Sequence, residues 1–144
     1  MSNVFIVGYD GTKDGRRALD FALERAKSQN AEVHIVYVLE WSPYSFLTPE
    51  ELEQRHARRK EEVELASTQI MSPLLKELEG AGIKVEGVIR YGKIPEVICD
   101  VAKKAGAMQI IVGRNGGSDI AARVFGSVPG TLIQISPVPI TVVP

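Results

Sequence analysis

Short runs of β-branched and other apolar residues alternate along this chain with longer segments of helical periodicity, and that alternation restricts the fold more than any other feature. Val4-Phe5-Ile6-Val7-Gly8, Val33 to Leu39 and Gln109 to Val112 are apolar at most positions. Strands covered on both faces read this way, whereas half-exposed strands alternate apolar with polar. From Asp14, the residues Ala18, Leu19, Phe21, Ala22, Leu23 and Ala26 recur at the spacing of one inward helical face, which stops near Ser28-Gln29-Asn30. Ile83 to Tyr91 alternates toward a third strand, Pro95 to Ala105 gives a helix with Val97, Ile98, Val101 and Ala102 inward, and Val138 to Val143 closes the chain as a fifth strand. The order βαβαβαβ(α)β, with short connections, predicts a doubly wound α/β sandwich. An open five-stranded parallel sheet lies between helices in one domain over residues 1–144, with the ligand site outside the carboxyl ends of the strands.

Thr48-Pro49-Glu50-Glu51 has the pattern of a helix start, with an N-cap hydroxyl, proline at the first helical position and glutamate at the third. The helix that follows carries Val63, Ala66, Ile70, Leu74 and Leu78 on one face and ends at Gly80-Ala81-Gly82, while Pro73 inside it predicts a kink or a break. Its basic stretch from Arg55 to Lys60 is surrounded by Glu50, Glu51, Glu53, Glu61, Glu62 and Glu64, so it reads as a solvated face laced with ion pairs. Ahead of this helix, Trp41 to Leu47 holds three aromatics in a loop.

With 17 Lys and Arg against 18 Asp and Glu, the net charge of -1 lacks the basic footprint of a nucleic-acid binder. No leader-like start and no 18-residue apolar run occur, so neither export nor a membrane is expected and the location expected is the cytoplasm. Cys99, among Val97, Ile98 and Val101, reads as a small core residue. His34 and His56 are far apart and show no acidic or thiol partner at metal-ligand spacing, so no metal site is expected from them.

The fourth strand runs into Gly113-Arg114-Asn115-Gly116, and nine residues later Gly126-Ser127 opens a last helix containing Leu132, Ile133 and Ile135. The resulting G-x2-G-x9-G-S spacing suits anion binding, because glycines admit phosphate oxygens to backbone N–H groups and a helix start offers free donors with a positive dipole end. The plainer alternative is a strand-to-loop turn with Ser127 as an N-cap. Asp10 arrives at the same sheet edge from the end of the first strand; an acid there suits a base or sugar better than phosphates.

The Tyr9-Asp10-Gly11-Thr12 turn, Gly92-Lys93-Ile94-Pro95, the glycine spacing and the closing Pro137 to Val143 strand together resemble the universal stress protein family over the whole chain. The resemblance implies a Rossmann-like, adenine nucleotide alpha hydrolase-like fold, and the glycine pattern is that of the family's ATP-binding members. It places Asp10 and the backbone of Val38 by adenine and ribose, Gly8 and Tyr9 on the pocket floor, Gly113 and Arg114 beside the ribose, and Gly116, Gly126, Ser127 and Val128 on the phosphates. It also implies a homodimer paired through the closing strand. Pro129 stands where relatives often carry a hydroxyl, which removes a phosphate contact and brings ADP and AMP forward beside ATP, with magnesium accompanying ATP.

Three functions follow in order of support. A non-catalytic nucleotide-binding regulator, read by a protein partner through the loops 41–47 and 113–126, fits best. A slow ATPase or autophosphorylating enzyme, with Ser127 as the acceptor, lacks the base and metal carboxylates that hydrolysis needs, and Asp119, which could bind magnesium, reads more simply as a surface-loop residue. A protein-interaction scaffold with a vestigial site is the third.

Overall fold

The computed structural model describes residues 3–40, 48–114 and 128–144. In chain order the elements are β1 (Asn3–Gly8), α1 (Lys13–Gln29), β2 (Ala31–Glu40), α2 (Pro49–Ala66), a π-helical turn (Ser67–Met71), α3 (Ser72–Glu77), β3 (Val85–Gly92), α4 (Ile94–Ala105), β4 (Gln109–Gly113), α5 (Val128–Ile135) and β5 (Ile140–Val143). The five strands form one sheet in the order β3-β2-β1-β4-β5, all neighbours parallel. This is the α/β architecture expected from the alternation of buried strands and helices.

Alternate residues of each strand feed two cores. Phe5 and Val7 of β1, Val33 and Ile35 of β2 and Ile111 of β4 pack with α1, Met71, Leu74 and Leu78 on one face. Val4, Ile6, Val36, Ile110 and Val112 pack with Ile98, Cys99 and Ala102 of α4 and Leu132 of α5 on the other. The continuous apolar runs are thus two interleaved period-2 patterns. On α1 the buried stripe is Gly15, Ala18, Leu19, Ala22 and Ala26, mostly small residues, while Phe21 and Leu23 are half-buried at its margins. The helix ends where Asn30 takes a left-handed conformation, φ 52°, and its N–H bonds to the Ala26 carbonyl.

Thr48 caps α2 as its sequence indicates, its hydroxyl accepting from the Glu51 N–H at 3.2 Å. The face that follows differs from the one read from sequence. Ala66, Met71, Leu74 and Leu78 are buried, whereas Val63 and Ile70 are only half-buried. The cause is the π turn, in which the Ser72 N–H reaches back five residues to the Ser67 carbonyl. One extra residue in that turn moves the inward position from Ile70 to Met71, and Pro73 then falls in the first turn of α3, where a missing N–H costs least. The break foreseen at Pro73 is therefore a bulge just before it. Edge strand β3 accommodates the bulge with Gly87, where a Cβ would stand 2.5 Å from the Met71 sulfur.

No described helix is long and apolar enough to cross a membrane. Cys99 is buried, and burial pushes its thiol above the ordinary range with Lys103 opposing, which suits a packing role.

Candidate functional site

The strand order reverses direction between β1 and β4, so a crevice opens at their carboxyl ends. The register Val7↔Ile111 brings Gly8 and Tyr9 level with Val112 and Gly113 across that crevice.

On the β1 side the chain leaves the sheet through a tightly bonded turn. One oxygen of Asp10 accepts from the Thr12 N–H at 3.0 Å and from the Thr12 hydroxyl at 2.5 Å, and that hydroxyl accepts from the Gly15 N–H at 3.1 Å to cap α1. Gly11, at φ 82°, makes the reversal possible. A Cβ on Gly15 would lie 2.4 Å from the same Asp10 oxygen, so glycine here is what admits the carboxylate to the helix start. Gly15 was not singled out from the sequence, although a glycine in the first turn of a helix, three residues after its cap, is a signal, since it costs helix propensity without a local reason. Asp10 is exposed, and both bonds of the turn fall on the same one of its oxygens.

Tyr9 is half-buried beside Asp10, and its N–H donates to the Val36 carbonyl at 3.0 Å. Burial raises its phenol above the ordinary value, Arg16 opposing, so the hydroxyl remains a neutral donor at physiological pH. Arg16 itself is tied across α1 and α3, bidentate to Glu77 at 3.1 Å and bonded to Asp20 at 3.0 Å. That pairing raises the guanidinium and holds the Glu77 carboxyl below its usual range.

Val38 lies two residues beyond Val36, the residue level with the last position of β1. The Val36 carbonyl faces β1 and the Val33 N–H faces β3, so by strand alternation the backbone groups of Val38 turn toward the crevice past the end of β1. This is the orientation that backbone recognition of a base edge requires.

On the β4 side, Gly113 is buried against the start of α1. A Cβ there would stand 2.9 Å from the carbonyl oxygen and 3.1 Å from the carbonyl carbon of Asp14. The first glycine of the G-x2-G pattern thus has a packing reason of its own. Arg114 follows with an exposed side chain, while its backbone N–H is committed to the Val143 carbonyl of β5 at 2.8 Å. Any contact with a ligand there falls to the guanidinium. Val128 is the first described residue of α5, half-buried against the second core, and Pro129 beside it is buried. The structure therefore assembles Gly8, Tyr9, Asp10, Val38, Gly113, Arg114 and Val128 around the carboxyl ends of the strands. Gly116, Asp119, Gly126, Ser127 and the Trp41 to Leu47 segment lie outside the described residues.

His34 has surroundings elsewhere in the sheet that its linear spacing did not indicate. His34 does have acidic partners, since Glu32 stands two residues back on the same face of β2 and the register His34↔Glu86 adds a third residue from β3. Linear spacing showed the first neighbour poorly and the second not at all.

The profile of the universal stress protein family matches residues 1–144. The chain is similar to the universal stress protein YxiE of Bacillus subtilis strain 168, with 29% identity over 147 aligned positions that cover 99% of each chain. In fold it is similar to the universal stress protein UspA from Lactobacillus plantarum, with a TM-score of 0.81 and 20% identity over 99% of this chain and 97% of that one. It is likewise similar to the universal stress protein from Archaeoglobus fulgidus in complex with dAMP, with a TM-score of 0.67 and 18% identity over 100% of this chain and 98% of that one. With the full length matched and the order of its elements as that resemblance implies, the chain belongs to the universal stress protein family.

Proposed function

We propose that this protein binds an adenine nucleotide in the crevice between the carboxyl ends of β1 and β4, and that it acts as a non-catalytic, homodimeric regulator whose occupied form a protein partner reads. The observation that carries the reading is the convergence of the Val38 backbone, the Tyr9-Asp10 turn, Gly113 and Arg114 on one switch point. The dAMP complex of the Archaeoglobus fulgidus relative supports the choice of an adenine nucleotide. The free oxygen of Asp10 and the backbone of Val38 would take the base and sugar, and Gly116, Gly126, Ser127 and Val128 the phosphates. ATP, ADP and AMP are all candidate ligands, because Pro129 supplies neither hydroxyl nor N–H to a terminal phosphate. Magnesium would enter with ATP.

The turn supports a binding role without turnover. One oxygen of Asp10 is taken up by Thr12, the other is assigned to the base and sugar and not to water, and the Tyr9 phenol is held neutral, which supports binding over hydrolysis. Each nucleotide at 100 times its Kd is expected to stabilise the protein by roughly 2.7 kcal/mol, read as a raised melting temperature, with ATP giving no advantage over ADP at equal concentration. Nucleotide released by acid from purified protein should be intact. No shift with any of the three would remove the binding proposal, and steady phosphate release would remove its non-catalytic part.

The edge of the sheet supports the dimer. The Pro139 and Val143 carbonyls bond to β4, so the backbone groups of Ile140 and Val142 point to the open side, where strand pairing with a second copy would occur. Val142→Pro removes an outward donor while leaving the β4 ladder its bonds. Sedimentation should find dimer in the parent and monomer in the variant; an unchanged dimer would place the interface elsewhere.

A further inference from the structure

The amino-terminal half of the β2–β3 pair holds a cluster that the nucleotide crevice does not use. Glu32 and His34 project from the same face of β2, the face that Val36 shares with α4, and Glu86 stands opposite His34 on β3. The His34 Nε2 lies 2.7 Å from one oxygen of Glu32 and 3.4 Å from one oxygen of Glu86, and the donor atoms of all three residues fall within 4.8 Å of one another. Lys84 is the neighbouring cation, but it approaches the opposite oxygens, Glu86 at 3.4 Å and Glu32 at 3.9 Å, from a side chain 67% exposed. The two oxygens turned to His34 are therefore not the ones that Lys84 holds.

We propose that Glu32, His34 and Glu86 bind a borderline divalent cation of the zinc class. A tetrahedral ion with bonds of about 2.0–2.1 Å needs its ligands about 3.3 Å apart, and the two Nε2 to oxygen separations bracket that spacing. His34 and Glu32, with side chains 12% and 18% exposed, stand two residues apart on β2, a strand paired on both edges, so two ligands are positioned before the ion arrives. Glu86 is half exposed and can close on the ion from the solvent side, which also supplies entry and a fourth, water ligand. One imidazole with two carboxylates favours zinc over magnesium or calcium, which call for more oxygen ligands and gain little from an imidazole. The site sits at the opposite end of the strands from Asp10 and Gly113, so it is independent of the nucleotide reading.

The test titrates zinc chloride calorimetrically into the full chain after chelator treatment and buffer exchange, with cobalt as a spectroscopic substitute. One zinc per chain is expected, with an intense visible cobalt band. His34→Gln should weaken zinc by about 100-fold or more and abolish the band, and Glu86→Gln should weaken it by at least about 10-fold, the lower end of what disturbing even an outer-shell partner costs. A Cys99→Ser, His56→Gln double variant should bind as the parent does. Metal-free circular dichroism melts check the fold of each variant, and if His34→Gln does not fold, Glu86→Gln at its exposed position carries the comparison. Absence of stoichiometric zinc, parental affinity in a folded His34→Gln or Glu86→Gln variant, or loss of binding in the Cys99, His56 double variant would each overturn the site.

Discussion

Leu132→Ala should lower the free energy of unfolding by about 2–5 kcal/mol, the range for emptying a closed leucine site. The expectation rests on how little else holds α5. Only Pro129 and Leu132 are buried among its eight residues, and Leu132 is fully enclosed in the core formed with α4 and the strands, while Ile133 and Ile135 are 66% and 47% exposed. Eight residues cannot sustain a helix in water without tertiary packing, so Leu132, the largest side chain that α5 buries, carries much of what holds the helix to the core. A urea titration should therefore show a lower midpoint and, in the same variant, a weaker nucleotide-induced melting shift, because the first turn of α5 from Val128 loses packing that holds it. Ile133→Ala, one position along and facing out, should leave the chain within about 0.5 kcal/mol of the parent when both are compared as monomers. A Leu132→Ala cost below about 1 kcal/mol would mean that α5 is held by something other than this contact.

How much of this was legible beforehand depends on the range over which each constraint acts. The buried strands, the Thr48 cap and the end of α1 at Asn30 were readable because each is decided by a few consecutive residues. The Ile70-to-Met71 substitution on the inward face was not, since a π turn leaves no periodic signature and is settled by what Pro73 and the bare Gly87 position on β3 allow. The Asp10 turn was placed at the right sheet edge from the residues alone. Its dependence on Gly15 was signalled only as an unexplained glycine in the first turn of α1, and the reason for it is the carboxylate packed against it. The His34 cluster needed the register of two strands separated by a long helical excursion, which no local pattern encodes. Gly113 shows the subtler case: the pattern pointed to the right residue, and the contact that requires it is with a backbone carbonyl nearly a hundred positions earlier.

That contact makes Gly113→Ala the sharpest separation of packing from ligand binding. The new methyl would stand 2.9 Å from the Asp14 carbonyl oxygen, and neither side yields easily. Gly113 is the last residue of a strand paired on both edges, and Asp14 sits in a helix start fixed by the Thr12 cap and the Asp10 turn. Relief has to come from α1 and β4 moving apart, at a cost of about 1–3 kcal/mol, the range for overpacking a closed site. The same displacement carries Asp10 away from the crevice, so nucleotide binding should fall together with stability. Gly116→Val is expected, on the sequence pattern, to lose the nucleotide while the ligand-free melting temperature stays at the parental value, because its glycine answers to phosphate approach. Melting curves of the two variants with and without AMP distinguish the roles. If Gly113→Ala melts like the parent without ligand, the closeness of α1 to β4 does not explain the glycine, and its place in the motif reverts to ligand contact alone. If both variants lose stability equally, the second glycine is also a packing residue, and the division of the motif into one position for the helix and one for the phosphates fails.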